Sequence, residues 1–311
     1  MKLQLCLPSL RETIIVLCAT ILFFLLTSVF IGVRTEHLLL FSVFLFLFFL
    51  TKETRKLAIG LLPFMIFGVS YDWMRVFPNY MVNPIDVEDL YNLEKSWFGI
   101  HTNGQYLIPC EYFAIHHWPV MDFFAGIFYL GWVPLPILFS LYLYFRKERG
   151  MFLRFSMVFL FVNLIGFAGY YIHPAAPPWY VMNYGFEAIL NTPGNTAGLG
   201  RFDAIIGFPV FGSIYGRNSN VFAAIPSLHS AYLVIVFYYA IVRKSNFVII
   251  LISVIFMCGI WFTAVYSSHH YIIDVILGVI CALIGILVFE FVLLKLRCFK
   301  NFFDRYQTYI A

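Results

Sequence analysis

The sequence predicts an all-α integral membrane protein: a bundle of about six to eight transmembrane helices, with folded loops capping its outer end. Three observations carry that prediction. The 311 residues are 62% hydrophobic and only 12% charged, where a soluble domain carries about 25% charged residues; mean hydropathy is +0.86. The apolar residues come in long unbroken runs rather than in the alternating segments that build a membrane barrel. Lys and Arg gather in alternate connections between those runs, as cytoplasmic loops require.

Eight runs stand out: 13–33, 37–51, 57–74, 120–145, 151–172, 227–242, 246–266 and 270–294. The first is too long for the apolar core of a secretory leader and no small-residue cleavage site follows it, so it reads as a span. The second is short enough to be one arm of a tight hairpin, which is why the count is a range. With the N-terminus in the cytoplasm, all but five of the 20 Lys and Arg fall inside; Arg34, Arg75, Lys95, Arg201 and Arg217 fall outside. An even number of spans with both termini cytoplasmic follows. The formal charge of +4 is that cytoplasmic rim and calls for no nucleic-acid partner. The six cysteines make no disulfide framework: Cys6 and Cys298 read as cytoplasmic, Cys18, Cys258 and Cys281 lie inside runs, and Cys110 alone faces outward.

Residues 1–311 thus read as one membrane domain. Residues 1–74 hold the N-terminal spans, 75–119 an outer interfacial loop, 120–172 two spans, 173–226 an outer capping loop, 227–294 the last spans and 295–311 a cytoplasmic tail. In the first loop, VEDLYNLEKSWFGI puts Leu90, Leu93, Trp97 and Phe98 on one helical face, with Glu94 and Lys95 off it, as in a helix lying in the membrane interface. The second loop is rich in Gly and Pro and carries HPAAPPWY (173–180), GLGRFD (198–203) and YGRNSN (215–220). Loops this long are functional or disordered, and the abundance of Trp, Tyr and Phe favours a folded cap.

Two polar clusters open apolar runs: PSLHS (226–230) and HHYIID (269–274). Pro226 suits the first turn of a helix, placing His229 about one turn in. From His229 to His270 the chain travels 41 residues, about two bilayer crossings of 20 residues each, so both histidines sit at the same outer end. His270 and Asp274 are spaced to share a helix face. A carboxylate inside an apolar run costs about 2.5–3.5 kcal/mol on insertion scales unless paired, and the imidazole of His270 is its natural partner. Such a pair fixes the His tautomer and frees the other ring nitrogen for attack, with His229 as acid and base. A single interfacial His is ordinarily just a polar residue at the water boundary; the two clusters together, on one side, are not. A metal site built from His229, His269, His270 and Asp274 competes with this reading, since His101, His116, His117 and His173 also lie on the outer side.

These residues resemble the type-2 phosphatidic acid phosphatase superfamily, whose pattern joins a Lys/Arg-Pro motif, PSGH and SRxxxxxHxxxD. PSLH (226–229) and HYIID (270–274) match the last two. The resemblance implies a phosphatase-like helical core, His270 as nucleophile through a phospho-histidine, Asp274 as its orienter, His229 as the acid that protonates the leaving alkoxide, and no metal or other cofactor. The chain departs from the pattern at Ala264, where the family Arg would fall with Thr263 before it, and lacks a recognisable Lys/Arg-Pro motif. A phosphoryl site needs cations; Arg201 and Arg217 are the outer ones nearest PSLHS, with Arg75 and Lys95 less suited.

PSLHS, the doubled HHYIID, APPW (176–179) and GLGRFD together resemble the inositol phosphorylceramide synthase branch over roughly residues 70–290. The short tails resemble bacterial members. That implies transfer of phosphoinositol from a phospholipid donor, phosphatidylinositol, to ceramide or dihydroceramide, in a bacterial inner membrane with the site facing the periplasm (lumenal in a eukaryote). Ser227, Asp203 and His269 complete the substrate-binding candidates with Arg201 and Arg217; Asp203, Asn218 and Asn220 serve equally well as turn residues. A lipid phosphatase of the same fold, acting on phosphatidate-like or polyprenyl pyrophosphate substrates, is the second reading. A lipid-binding or transport protein that keeps the fold is the third.

Overall fold

The computed structural model describes residues 7–216 and 220–311. It is helical nearly throughout. The helices are α1 (Leu10–Phe30), α2 (Thr35–Leu50), α3 (Lys52–Gly60), α4 (Leu62–Trp73), α5 (Asp89–Phe98), α6 (Pro109–Ile115), α7 (Pro119–Leu130), α8 (Pro134–Phe145), α9 (Arg149–Ile172), α10 (Pro178–Tyr184), α11 (Gly200–Ile206), α12 (Val210–Tyr215), α13 (Leu228–Val242), α14 (Phe247–Tyr266), α15 (Ile272–Phe291) and α16 (Arg297–Ile310). One small antiparallel hairpin, β1 (Ile100–Thr102) with β2 (Gln105–Leu107), follows α5.

Four helices are long and apolar enough to cross a membrane unaided, five with the bent pair α7–α8. Two shorter apolar helices, α2 and α13, join them in the bundle read from the sequence. The run 57–74 breaks at Leu61, with Pro63 in the first turn of α4. The run 120–145 bends by 46° between Leu130 and Pro134. Helix α13 has 15 residues, or about 22 Å at 1.5 Å per residue, short of the roughly 30 Å hydrocarbon core. An apolar run marks what is buried; where the helix starts is decided by its caps.

The bundle core packs α13 against α14, α15 and α9. Phe152, Phe155 and Phe159 of α9 and Tyr232 and Tyr239 of α13 are fully buried there. Close approach depends on missing side chains: a Cβ at Gly278 of α15 would stand 2.1 Å from the Ser227 carbonyl oxygen, and one at Gly166 of α9 would stand 2.5 Å from Leu228. Leu39 and Phe46 of α2 and Phe247 of α14 instead lie exposed on the bundle's outside, as lipid-facing positions do.

The two long loops fold together over one end of the bundle. The Asp86 N–H donates to Pro174 O at 2.8 Å, Ala176 N–H to Asp86 O at 2.9 Å and Ala175 N–H to Phe222 O at 3.0 Å. Asn79, fully buried, donates to Tyr170 O and Phe222 O and accepts from Asn220. The Asp86–His173 contact, at 3.0 Å, adds a charged clasp. Against the cost of half-burial, His173 and the Leu90 N–H hold the Asp86 carboxyl below its usual range. Asp86 in turn raises His173.

Three local expectations change. Cys110, read as without a partner, is fully buried, its thiol donating to His270 O at 3.4 Å. In α5 the packed face is Leu90, Tyr91 and Glu94, while Leu93 and Trp97 are exposed. Pro226 lies outside the helix, after a cis bond to Ile225; Ser227 is the N-cap and His229 stands in the first turn.

Candidate active site

His229, His270 and Asp274 form one chain of contacts. His229 Nδ1 lies 3.1 Å from His270 Nε2, and His270 Nδ1 lies 3.3 Å from Asp274 Oδ2. The pair does not share a helix face as the spacing suggested. Helix α15 begins at Ile272 with Tyr271 as its N-cap, so His270 precedes the helix and Asp274 sits in its first turn. There Asp274 Oδ2 also accepts the Tyr271 N–H at 3.0 Å, where a helix N-terminus favours negative charge. Its Oδ1 is buried without a hydrogen-bond partner.

The turn carrying both histidines is built from backbone. His269 N–H and His270 N–H both donate to Ala264 O, at 3.0 and 2.9 Å. The family Arg position is thus a fully buried alanine whose carbonyl shapes the turn. Trp179 N–H donates to Ser268 O and Gly198 N–H to Ser267 O, both at 2.9 Å, so the capping loop is stitched to the same turn. The Ser227 N–H donates to Asp274 O at 3.0 Å, joining PSLHS to HHYIID directly.

Aromatic rings hold the imidazoles. Tyr129 stacks on His229 with centroids 5.0 Å apart, and Trp132 meets His229 edge-on at 4.7 Å. His269 stacks on Tyr215 at 4.3 Å, and its Nε2 lies 2.9 Å from Thr196 O. That ring therefore points away from the His229–His270 contact. Above the pair opens a cavity of about 180 Å³, lined among others by Trp132, Trp179, Tyr215, His229, His269 and His270.

The other sequence candidates lie elsewhere. Arg201 does not line the cavity; its Nε donates to Asp122 Oδ1 at 2.6 Å, and Asp122 also takes Tyr266 OH at 2.9 Å. Asp203 accepts the Phe211 and Gly212 N–H groups at 3.0 and 2.8 Å, capping α12. Ser227 is fully buried, its hydroxyl accepting from Ser230 at 3.1 Å. Arg217 and Asn218 lie outside the described residues; Asn220 lines the cavity. Among the described residues no Lys or Arg lines it.

Sequence reading missed Tyr129, Trp132 and Glu94. The GWVP break after Tyr129 marks a bend at which side chains can turn inward. Glu94 lies one turn from Leu90, on the packed face of α5. It is fully buried, and its Oε1 and Oε2 accept the Ile272 and Ile273 N–H groups at 2.8 and 3.2 Å. Burial pushes its carboxyl up to about 7, against the pull of those two donors.

This arrangement can do nucleophilic chemistry. A carboxylate orients one imidazole, a second imidazole stands at its free nitrogen, and both open on a recess walled by rings. Comparison with known proteins agrees in kind. The chain is 65% identical over 303 residues to the phosphoinositol dihydroceramide synthase of Bacteroides thetaiotaomicron, covering 97% of this chain and 99% of that one. It is 25% identical over 248 residues to the inositol phosphorylceramide synthase catalytic subunit of Saccharomyces cerevisiae, covering 77% of this chain and 58% of that one. With the inositol phosphorylceramide synthase of Candida albicans it shares 30% identity over 172 residues, covering 52% and 35%. No solved structure matches at a significant level. The model of the PAP2 superfamily matches residues 104–288, which take in both motifs and every residue of the His229–His270–Asp274 chain, and the chain belongs to that superfamily.

Proposed function

We propose that this chain is an inositol phosphorylceramide synthase, transferring phosphoinositol from phosphatidylinositol to ceramide or dihydroceramide. The observation that carries the chemistry is the run of contacts from His229 through His270 to Asp274. The choice of substrates is supported by the names of the relatives, among them the Bacteroides protein. His270 Nε2 attacks the phosphorus; the P–N bond forms as the P–O bond to diacylglycerol breaks. His229, protonated, gives its proton to the leaving alkoxide. The primary hydroxyl of ceramide then attacks the phospho-histidine, His229 takes its proton, and the P–N bond breaks. Asp274 keeps the proton on Nδ1 of His270 throughout, so that Nε2 is the reacting nitrogen. In this state the two rings touch, and the phosphoryl group enters by displacing His229 from Nε2.

The charge distribution supports one orientation. Arg243 and Glu148 pair at 2.6 Å at the end of α13 opposite His229, and Arg149, Arg154, Lys295 and Arg297 lie in the connections or helix ends on that side. The positive-inside rule makes that end cytoplasmic and the histidine end periplasmic, in a bacterial inner membrane, with both termini cytoplasmic. Arg217 remains the candidate cation for the phosphate, and His269 the candidate wall of the substrate recess.

Membranes containing the protein, supplied with phosphatidylinositol and labelled ceramide, test the proposal. A phosphoinositol-bearing ceramide that vanishes in His270→Ala is the expected result. Release of free phosphate from a lipid phosphate with ceramide untouched would replace the transferase by a phosphatase.

A further inference from the structure

We infer that Glu94 is a positioning residue for the His270–Asp274 pair, acting through the start of α15. The inference deepens the proposed function and rests on its assignment of those two residues. Glu94 comes from α5, 178 residues before its first partner. Its two oxygens take the Ile272 and Ile273 N–H groups, the first two of α15, and Asp274 takes the next one back, that of Tyr271. Helix starts leave such donors without partners in the helix itself, and here they are buried, where an unpaired donor is costly.

Remove Glu94 and those donors need another acceptor. The carboxylate in the same turn is Asp274, whose Oδ1 has no hydrogen-bond partner. Asp274 would be drawn towards Ile272 and Ile273 and away from His270 Nδ1. Glu94 therefore does more than stabilise: by occupying two donors it leaves Asp274 one N–H and one imidazole.

The clamp is sensitive to protonation. Both oxygens accept, so the ionised form binds best, and Glu94 is held up to about 7 by burial. The titratable groups that act on it are Asp274 of α15, Tyr271 at the N-cap of α15 and Cys110 of α6. Asp274 adds to the upward shift.

The test compares wild type with Glu94→Gln and Glu94→Ala in detergent or nanodiscs. Three readouts are taken: steady-state transfer to ceramide, thermal midpoint, and ring nitrogen NMR of His270, assigned by its loss in His270→Ala. Glu94→Gln keeps one acceptor oxygen. It is expected to lower kcat at least about tenfold with KM for phosphatidylinositol unchanged, and to shift the His270 ring signals while the midpoint holds. The wild-type to Glu94→Gln ratio of kcat should fall several-fold from pH 8 to pH 6, as Glu94 takes up its proton. Unmoved His270 signals in folded Glu94→Gln, or an activity loss tracking the thermal midpoint alone, would overturn the inference. Glu94→Ala should be more severe; if it does not fold, Glu94→Gln carries the test. A wild type that transfers nothing to ceramide while Glu94→Gln still shifts the His270 signals would sink the transferase reading and leave the positioning role standing.

Discussion

His229 Nδ1 and His270 Nε2 stand 3.1 Å apart although 41 residues separate them in the chain. Helices α13, leading away from His229, and α14, leading back to the turn before His270, are what make them neighbours. Ser227 and Asp274 fix the register from the backbone, N–H to carbonyl at 3.0 Å. Because each ring has a distinct partner, the three residues should fail differently. His270→Ala should abolish both transfer and any acid-labile phosphoenzyme. His229→Gln should lower kcat about 10²–10⁴-fold, the usual range for a lost general acid and base, while still trapping label on His270. Acid quench of enzyme given labelled phosphatidylinositol distinguishes the two. Label retained on His270→Ala would remove the nucleophile assignment.

Arg201 was read from the sequence as a phosphate ligand, but its guanidinium serves Asp122. That carboxylate is 4% exposed and holds the start of α7 to Tyr266 and to the GLGRFD helix. Removing the guanidinium leaves Asp122 to Tyr266 and His117, at a cost below the roughly 3 kcal/mol of a fully broken buried pair. Arg201→Ala should therefore lower the thermal midpoint by several degrees, and Asp122→Asn in the same chain should recover much of it. A raised KM for phosphatidylinositol with an unchanged midpoint would return Arg201 to the substrate.

What was legible in the sequence follows from this division of labour. PSLHS and HHYIID were readable because the proposed chemistry dictates residue types, and because two consecutive apolar helices set the distance between them. That both lie at one end of the bundle was readable from the 41-residue spacing. The helix starts were not. Pro226 looked like a first-turn proline, yet the chain passes it before the N-cap Ser227. Asp274 looked like a mid-span acid and is instead a first-turn residue tied to Tyr271. Glu94 and Asp122 were invisible for another reason. Each is a lone acid in an ordinary setting, and its meaning lies in partners 178 and 79 residues away.

Gly278 gives a packing test of the same geometry. A Cβ there would meet the Ser227 carbonyl oxygen at 2.1 Å, a backbone atom that cannot swing aside. Gly278→Ala should push α15 from the start of α13 and cost about 1–3 kcal/mol through overpacking. Because Ser227 is two residues from His229 and donates to Asp274 O, kcat should fall more than stability explains. Equal loss in Gly278→Ala and in a stability-matched variant far from the site, such as one on α2, would show that the contact matters only for folding.

The Asp86–His173 clasp predicts a pH window for the capping loops. Asp86 is lowered from 3.8, so its contribution is present above that value and is lost as pH falls through the folded-state pKa. His173 is raised from 6.5, so its contribution is present below that value and is lost as pH rises through the folded-state pKa. Both hold together between about pH 4 and 6.5. His173 is half exposed, so the effect is well under 1 kcal/mol and local. Limited proteolysis of residues 185–196 should quicken on either side of the window in wild type. His173→Gln should cleave at a rate that no longer changes between pH 6 and 8.

Trp179 tests why the proposed reaction ends in transfer. Ceramide must reach the phospho-histidine before water does, and the recess over His270 is walled by rings. Trp179 is 4% exposed, lines that recess and is tied through its N–H to Ser268 O at 2.9 Å. Replacing it by Ala leaves the backbone bond in place and opens the wall. The proposed nucleophile, its orienter and the proton carrier are untouched, so phosphoenzyme should still form at nearly the wild-type rate. Its fate should change, with inositol phosphate released to water rising against phosphoinositol passed to ceramide. Measuring both products from one donor gives the ratio directly. A ratio unchanged from wild type, at reduced overall rate, would mean that Trp179 shapes the site without shielding it, and that water is kept out by the lipid itself.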